Sequence, residues 1–253
     1  MNIILLLPED QTDESCYCLH DSRAEHIRSV LRGAEGDVVE IGLLNGPQGI
    51  AEILSIGPKF VELQIRELRK QQEVMPIVDL ICALPRPQTL KRVLAACGTM
   101  AVRQLHLVRA NRVERSFYQS PLLQPANMRR HLVEGMMQGR QTRLPRVSVH
   151  QRFRPFFEDI LPPLVGETDS EALMVVADGG AQRTIAGCCQ GRPAWIIGAV
   201  GPEGGWVPFE LETMRASGFQ AVSLGRWVLR VEAAVVALLS QIEMQVVAHR
   251  QLR

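Results

Sequence analysis

The sequence predicts an α/β protein: a mostly parallel β-sheet with helices on both faces, preceded by a small β-barrel domain. Three observations carry this. Beyond residue 77, short apolar strands alternate with helix-periodic stretches, as crossover connections between parallel strands require. Before residue 74, three strand-like runs follow one another with turn signals between them, which suits a small barrel. The chain has 253 residues, 46% of them hydrophobic, enough to bury the core of one large or two modest domains. The boundary is expected in the polar stretch 66–73, giving domains 1–73 and 74–253.

In the first domain, residues 1–7 are apolar but lack a basic leader and stop at Pro8-Glu9-Asp10, so they do not read as a signal peptide. Asp21 or Ser22 can cap a helix through Leu31. Strands are expected at 38–43, 50–56 and 61–68, with Asn45-Gly46 as the tight hairpin between the first two. Arg28 and Arg32, four apart on one helix face, are candidates for phosphate contacts. His26 taken alone suits a satisfied structural histidine.

The second domain is expected to run strand 78–84, helix 88–101, strand 105–108, helix 126–138, strand 147–149, short helix 153–161 and strand 173–177. Asp178-Gly179-Gly180 then ends a strand in a turn that could border a ligand. No run reaches transmembrane length. The six cysteines, Cys16, Cys18, Cys82, Cys97, Cys188 and Cys189, contain no paired C-x-x-C set that would hold zinc, and read as reduced thiols of a cytoplasmic protein.

The net charge of +1 hides an asymmetry. Between Arg103 and Arg154 there are eleven arginines, no lysine, and only Glu114 and Glu134 as acids, a net of +9 that leaves −8 for the remainder. Such a concentration attracts a polyanion where the whole-chain charge would not. Arginine binds phosphate bidentately and stacks on bases, so Arg109, Arg112, Arg140 and Arg143 are candidate RNA contacts.

The chemistry is expected between residues 195 and 232. A buried strand at 195–200 runs into Gly201-Pro202-Glu203-Gly204-Gly205-Trp206, and a helix follows with Pro208 at its first position and Gly218 as a left-handed cap. A second strand at 221–224 runs into the loop 225–230 and a long helix from Val231 to about residue 249. Parallel strands place such loops side by side at their carboxyl ends, where open α/β sheets bind ligands. The glycines let a ligand approach the main chain. Neither the G-x-G-x-x-G spacing nor a phosphate-loop Lys-Ser/Thr is present.

Gly201-Pro202-Glu203-Gly204-Gly205, with Leu224-Gly225-Arg226-Trp227-Val228-Leu229-Arg230-Val231-Glu232-Ala233-Ala234, resembles the paired signature of the RsmE family of SPOUT-superfamily methyltransferases. His26, the V-L-R at Val30 to Arg32 and Gly36-Asp37 are similar to the family's N-terminal pattern. Leu107 to Arg112 is similar to its basic loop after a strand, and Glu134 with Gln138, then Arg143 and Pro145, to its E-x-x-x-Q stretch. The resemblance implies S-adenosylmethionine-dependent methylation of uridine N3 in 16S ribosomal RNA. It further implies a C-terminal trefoil knot, a homodimer and an N-terminal PUA-like barrel that grips RNA. On it, Gly179, Gly201, Gly204, Gly205, Leu224, Gly225, Val228 and Leu229 would enclose the cofactor. Arg230 would be the cation beside the reacting base, with Glu203 or Glu232 orienting it, and His26, Arg28, Arg32 and the later arginines would hold RNA.

Several positions depart from the family pattern. Ala96 and Thr99 stand where it has a lysine and a glutamate, Trp227 where it has an arginine, Ala233 where it has a threonine, and Val207 at its Ser/Thr cap. These keep a second reading open, an RNA-binding or ribosome-assembly protein of the same fold without catalysis. An active enzyme for another RNA position is a third. The final helix is apolar around most of its circumference in its first half, which calls for cover by a second subunit.

Overall fold

The computed structural model describes residues 2–69, 77–166, 172–189 and 193–251, with side chains as far as residue 245. Its N-terminal sheet contains β1 (Ile4–Leu6), β2 (Cys16–Leu19), β3 (Val38–Leu43), β4 (Gln48–Ile56) and β5 (Val61–Leu68), in the order β1-β3-β4-β5-β2. β1 runs parallel to β3, with Ile4 opposite Ile41; the other pairings are antiparallel. Two register shifts in β4 bend the sheet around a core that includes Leu6, Leu19, Ile27, Ile41, Ile53 and Leu63.

The apolar run at the N-terminus is thus a strand, and β2 was also unforeseen. The Asn45 turn sits between β3 and β4 with φ +58, as the hairpin expectation requires. Asp21 caps α1 (Ser22–Glu25) by accepting from the Arg23 amide, but the helix continues only as a π-helical turn (His26–Val30) and ends with Arg32 at φ +52. Residues 66–68 belong to β5, so the expected linker can begin only after it; residues 70–76 lie outside the described residues.

The second sheet has β6 (Ile77–Ala83), β7 (Gln104–Val108), β8 (Arg146–His150), β9 (Leu173–Ala177), β10 (Trp195–Val200) and β11 (Gln220–Val222). All are parallel, in the order β11-β9-β10-β6-β7-β8. Helices cover both faces, as the alternation demanded. On one face lie α2 (Pro87–Thr99), α3 (Pro125–Gly139) and α8 (Val231–Gln251), with the short α6 (Ile185–Cys188) against α8. Gly198 makes room for α8, since a Cβ there would stand 2.7 Å from Leu238 Cδ2. On the other face α4 (Phe153–Pro155), a π-helical turn (Phe156–Ile160) and α5 (Leu161–Gly166) bury Phe156, Phe157 and Leu161.

α2 and α3 touch backbone to backbone. A Cβ on Gly135 would fall 1.9 Å from the Ala95 carbonyl oxygen, and one on Gly98 would fall 2.2 Å from that of Leu132. The same α3 carries the N-terminal sheet: Ile3 and Leu5 pack against Met136 and Met137, the Asn2 amide donates to the Met137 carbonyl at 3.0 Å, and Arg129 pairs with Glu9 at 2.8 Å.

Candidate active site

The loops that follow β9, β10 and β11 meet at the carboxyl edge of the sheet around a cleft of about 340 Å³, the size of a small-molecule site. The first contributes Asp178 and Gly179, the second residues 201–206, and the third residues 224–229. All eight residues expected around a cofactor, Gly179, Gly201, Gly204, Gly205, Leu224, Gly225, Val228 and Leu229, line it. Gly205 and Gly225 have φ +74 and +125, conformations that side chains resist, and no atom lies within 4 Å of where their Cβ would be.

The β10 loop is fixed from behind. Glu210, on α7 (Pro208–Ala216) and 2% exposed, accepts from the Val207 amide at 2.9 Å and from the Asn111 amide at 2.6 Å. One carboxylate thereby joins the cofactor loop to the loop after β7. Arg112 reinforces the joint by donating to the Gly204 carbonyl, and its Cδ fills the space a Cβ on Gly204 would need, at 2.9 Å. Trp206 packs its indole against Gly201, and its Nε1 is buried with no partner among the described residues.

The three residues expected to be catalytic do not bond to one another. Glu203 Oε1 accepts from the Arg86 amide at the start of α2, at 3.3 Å. Glu232, in the first turn of α8, pairs with Arg92 of α2 at 2.8 Å. Its own backbone amide, with Arg92 and Arg230 nearby, holds its carboxyl below the usual carboxylate range. The partner of Glu232 is therefore Arg92 rather than Arg230, the alternative that the sequence suggested. Arg230 is exposed, does not line the cleft, and forms no ion pair among the described residues. Arg86, Arg92 and the joining role of Glu210 escaped the sequence reading, because only the fold brings α2 and the β7 loop against residues 203–232.

The candidate RNA residues are scattered. Arg28 donates to the Gly57 carbonyl at 3.1 Å and pairs with Glu25, while His26 is half-buried beside it. Arg32 and Arg143 are exposed. Arg140, left-handed at the end of α3, pairs with Glu40 at 3.3 Å, and Arg109 is half-buried at the end of β7. Within the basic segment Arg103 is turned to Asp79 beneath the sheet and Arg129 to Glu9. Acids from outside the segment thus neutralise several of its arginines.

A parallel sheet with three glycine-bearing loops around a cleft at its carboxyl edge, and a curled sheet ahead of it, is the fold of a group of methyltransferases. The crystal structure of a "Ribosomal RNA small subunit methyltransferase E from Neisseria gonorrhoeae bound to S-adenosyl methionine" matches with TM-score 0.75 at 19% identity, covering 96% of this chain and 98% of that one. The putative methyltransferase Lpg2936 from Legionella pneumophila, in complex with bound SAM, matches with TM-score 0.74 at 17% identity, covering 97% and 98%. Residues 72–243 match the model of the RNA methyltransferase domain, and the chain belongs to that family. It is also 29% identical over 239 residues to the "Ribosomal RNA small subunit methyltransferase E" of Treponema pallidum, covering 94% of this chain and 88% of the relative. The resemblance carried by the two C-terminal loops is borne out.

Proposed function

We propose that this chain transfers a methyl group from S-adenosylmethionine to N3 of a uridine in small-subunit (16S) ribosomal RNA. The observation that carries the reading is the three-loop cleft itself. Gly179, Gly205 and Gly225 open onto empty space, and the Val228 and Leu229 amides donate to nothing among the described residues. Such a cradle suits a ligand held by main-chain groups, and the unpartnered Trp206 Nε1 behind it adds a donor.

S-adenosylmethionine, when bound, supplies an electrophilic methyl group. Gly179, Gly201, Gly204, Gly205, Leu224, Gly225, Val228 and Leu229 enclose it, and the joint made by Glu210 and Arg112 keeps the cradle rigid before the ligand arrives. Uracil N3 lies on the pairing edge, so the base must be unpaired to enter. N3, its proton passed to solvent, would form the new N–C bond as the sulfur–methyl bond of the bound cofactor breaks, leaving S-adenosylhomocysteine with a neutral thioether sulfur. A ring that becomes anionic on losing that proton is stabilised by a cation beside it. Arg230 is suited to that role because its guanidinium forms no ion pair among the described residues, Glu232 being paired with Arg92. Glu203 and Glu232, anchored on α2, orient the loop ends that carry it.

The same reading assigns residues 1–73 as a PUA-like RNA-binding module and 74–253 as the catalytic domain; the family match beginning at residue 72 supports this division. It places His26, Arg28, Arg32, Arg109, Arg112, Arg140 and Arg143 along the RNA. The protein is proposed to be cytoplasmic; among the described residues no helix is long and apolar enough to cross a membrane. The return of α8 onto α2 and β10 after the chain has passed to the edge strand β11 fits a C-terminal knot. Val236 and Met244 of α8 are 44% and 61% exposed, which fits burial in a homodimer.

Two experiments test the reading. Calorimetric titration with S-adenosylmethionine should show saturable binding without RNA. Incubation with small ribosomal subunits lacking the modification, followed by nucleoside analysis, should yield 3-methyluridine, and Arg230→Ala should abolish its formation while leaving the fold intact. Cofactor binding with the methyl group found on another base would overturn the N3 assignment, and turnover by Arg230→Ala would remove that residue as the catalytic cation.

A further inference from the structure

Of the three tryptophans, Trp195 and Trp206 are 4% and 8% exposed, whereas Trp227 is 71% exposed. A large aromatic ring left in water is worth explaining, and this one lines the cofactor cleft. The loop that carries it turns outward at Gly225, φ +125, and also exposes Val228 fully. One face of the indole is already occupied: the Arg226 guanidinium carbon lies over the ring, 4.6 Å from its centroid. Arg226 and Arg230 are the loop's charged residues, and Glu232, the acid that follows, is paired with Arg92. The lip of the cleft is therefore aromatic and cationic.

We propose that Trp227, backed by Arg226, is a stacking platform for an unpaired nucleobase of the RNA substrate at the mouth of the cleft. The inference rests on the reading of the cleft as an RNA-methylating site. Aromatic rings accept any base on their π-face, and an arginine stacked behind them contributes cation–π attraction and a phosphate contact. A substrate whose pairing edge must be freed necessarily presents unstacked bases at this point, and the platform replaces the stacking they lose. A second copy of the chain fits the patch less well. A twofold contact centred on the loop would set Arg226 and Arg230 against their own counterparts.

The test uses the full-length protein and a short mixed-sequence single-stranded RNA, alone and annealed to its complement. Trp227→Ala is expected to weaken single-strand binding about 5- to 100-fold, a loss larger than any in affinity for S-adenosylhomocysteine. Trp227→Phe should keep most of the RNA affinity. Because the other two tryptophans are buried, the red-shifted part of the emission belongs to Trp227, and single-stranded RNA should quench it in the wild type but not in Trp227→Phe. Unchanged RNA affinity in Trp227→Ala, equal loss for duplex and single strand, or dissociation of Trp227→Ala to monomers in sedimentation would each overturn the platform. A wild-type protein that binds no S-adenosylhomocysteine would instead remove the methyltransferase reading beneath it.

Discussion

Glu210 offers a quantitative check on how the cleft is held together. Its carboxylate is 2% exposed and accepts two backbone hydrogen bonds, from Val207 at 2.9 Å and Asn111 at 2.6 Å. Replacing it with alanine leaves both amides without that acceptor. Hydrogen bonds to a charged acceptor contribute about 1.5–3 kcal/mol each, so the pair is expected to account for roughly 3–5 kcal/mol, allowing for some relaxation and water entry. For a chain of this size each kcal/mol lowers the melting temperature by about 2–4 °C, so Glu210→Ala should melt on the order of 6–20 °C below the wild type. Glu210→Gln keeps one acceptor but turns an amide donor toward a backbone N–H, and should fall between the two. Differential scanning calorimetry reads the shift, and titration with S-adenosylhomocysteine reads the cradle, which should bind more weakly even at temperatures where the variant is fully folded. A Glu210→Ala protein that melts within about 2 °C of the wild type would show that the joint between the two loops contributes nothing.

Two further outcomes follow from the packing. Burial, and next the neighbouring His150, push the His106 imidazole down to about 4, while the unfolded chain titrates near the ordinary value of about 6.5. Because the depressed folded value favours the neutral ring, this stability is complete above about pH 6.5 and is lost as pH falls toward 4, by on the order of 2–3 kcal/mol. Urea unfolding at pH 7.5 and 5 should show the decline, and His106→Gln should flatten it; an equal slope in the variant would assign the decline to other groups. Gly135→Ala would force α3 away from the Ala95 carbonyl, where the added carbon would sit at 1.9 Å. A loss of about 2 kcal/mol or more is expected in the same unfolding assay, and an unchanged midpoint would contradict so close a contact.

The parallel sheet and its cleft were legible because their signals are local. Most strands there are short apolar runs, and glycine readily takes the positive φ of the turns at Gly205 and Gly225. β1 was not legible: Ile4–Leu6 is too short to show alternation, and its pairing with β3 spans the intervening helix. The helix expected through Leu31 reaches that point, but a π-helical turn replaces its last regular one before Arg32 turns left-handed. Charge counting could not show how the basic segment is arranged, for a related reason. It registers eleven arginines but not that Asp79, Glu9 and Glu40, all from outside the segment, take up Arg103, Arg129 and Arg140. An acid such as Glu210 in the first turn of a helix is favoured by the helix dipole alone, and only the fold supplies the Asn111 amide that gives it a second task.

The bare contact between α2 and α3 acts as a gauge. α2 receives Glu203 and Glu232 from the rim of the cleft, α3 receives the N-terminal sheet, and between them Gly98 and Gly135 bring two backbones together with no side chain to give way. If residues 1–73 grip RNA as proposed, the span from grip to reacting methyl is set by rigid main chain rather than by a flexible tether. The choice of nucleotide along the RNA then becomes a matter of length: an inserted turn in α3 would advance the sheet by about 5.4 Å and bring a different base to the same chemistry.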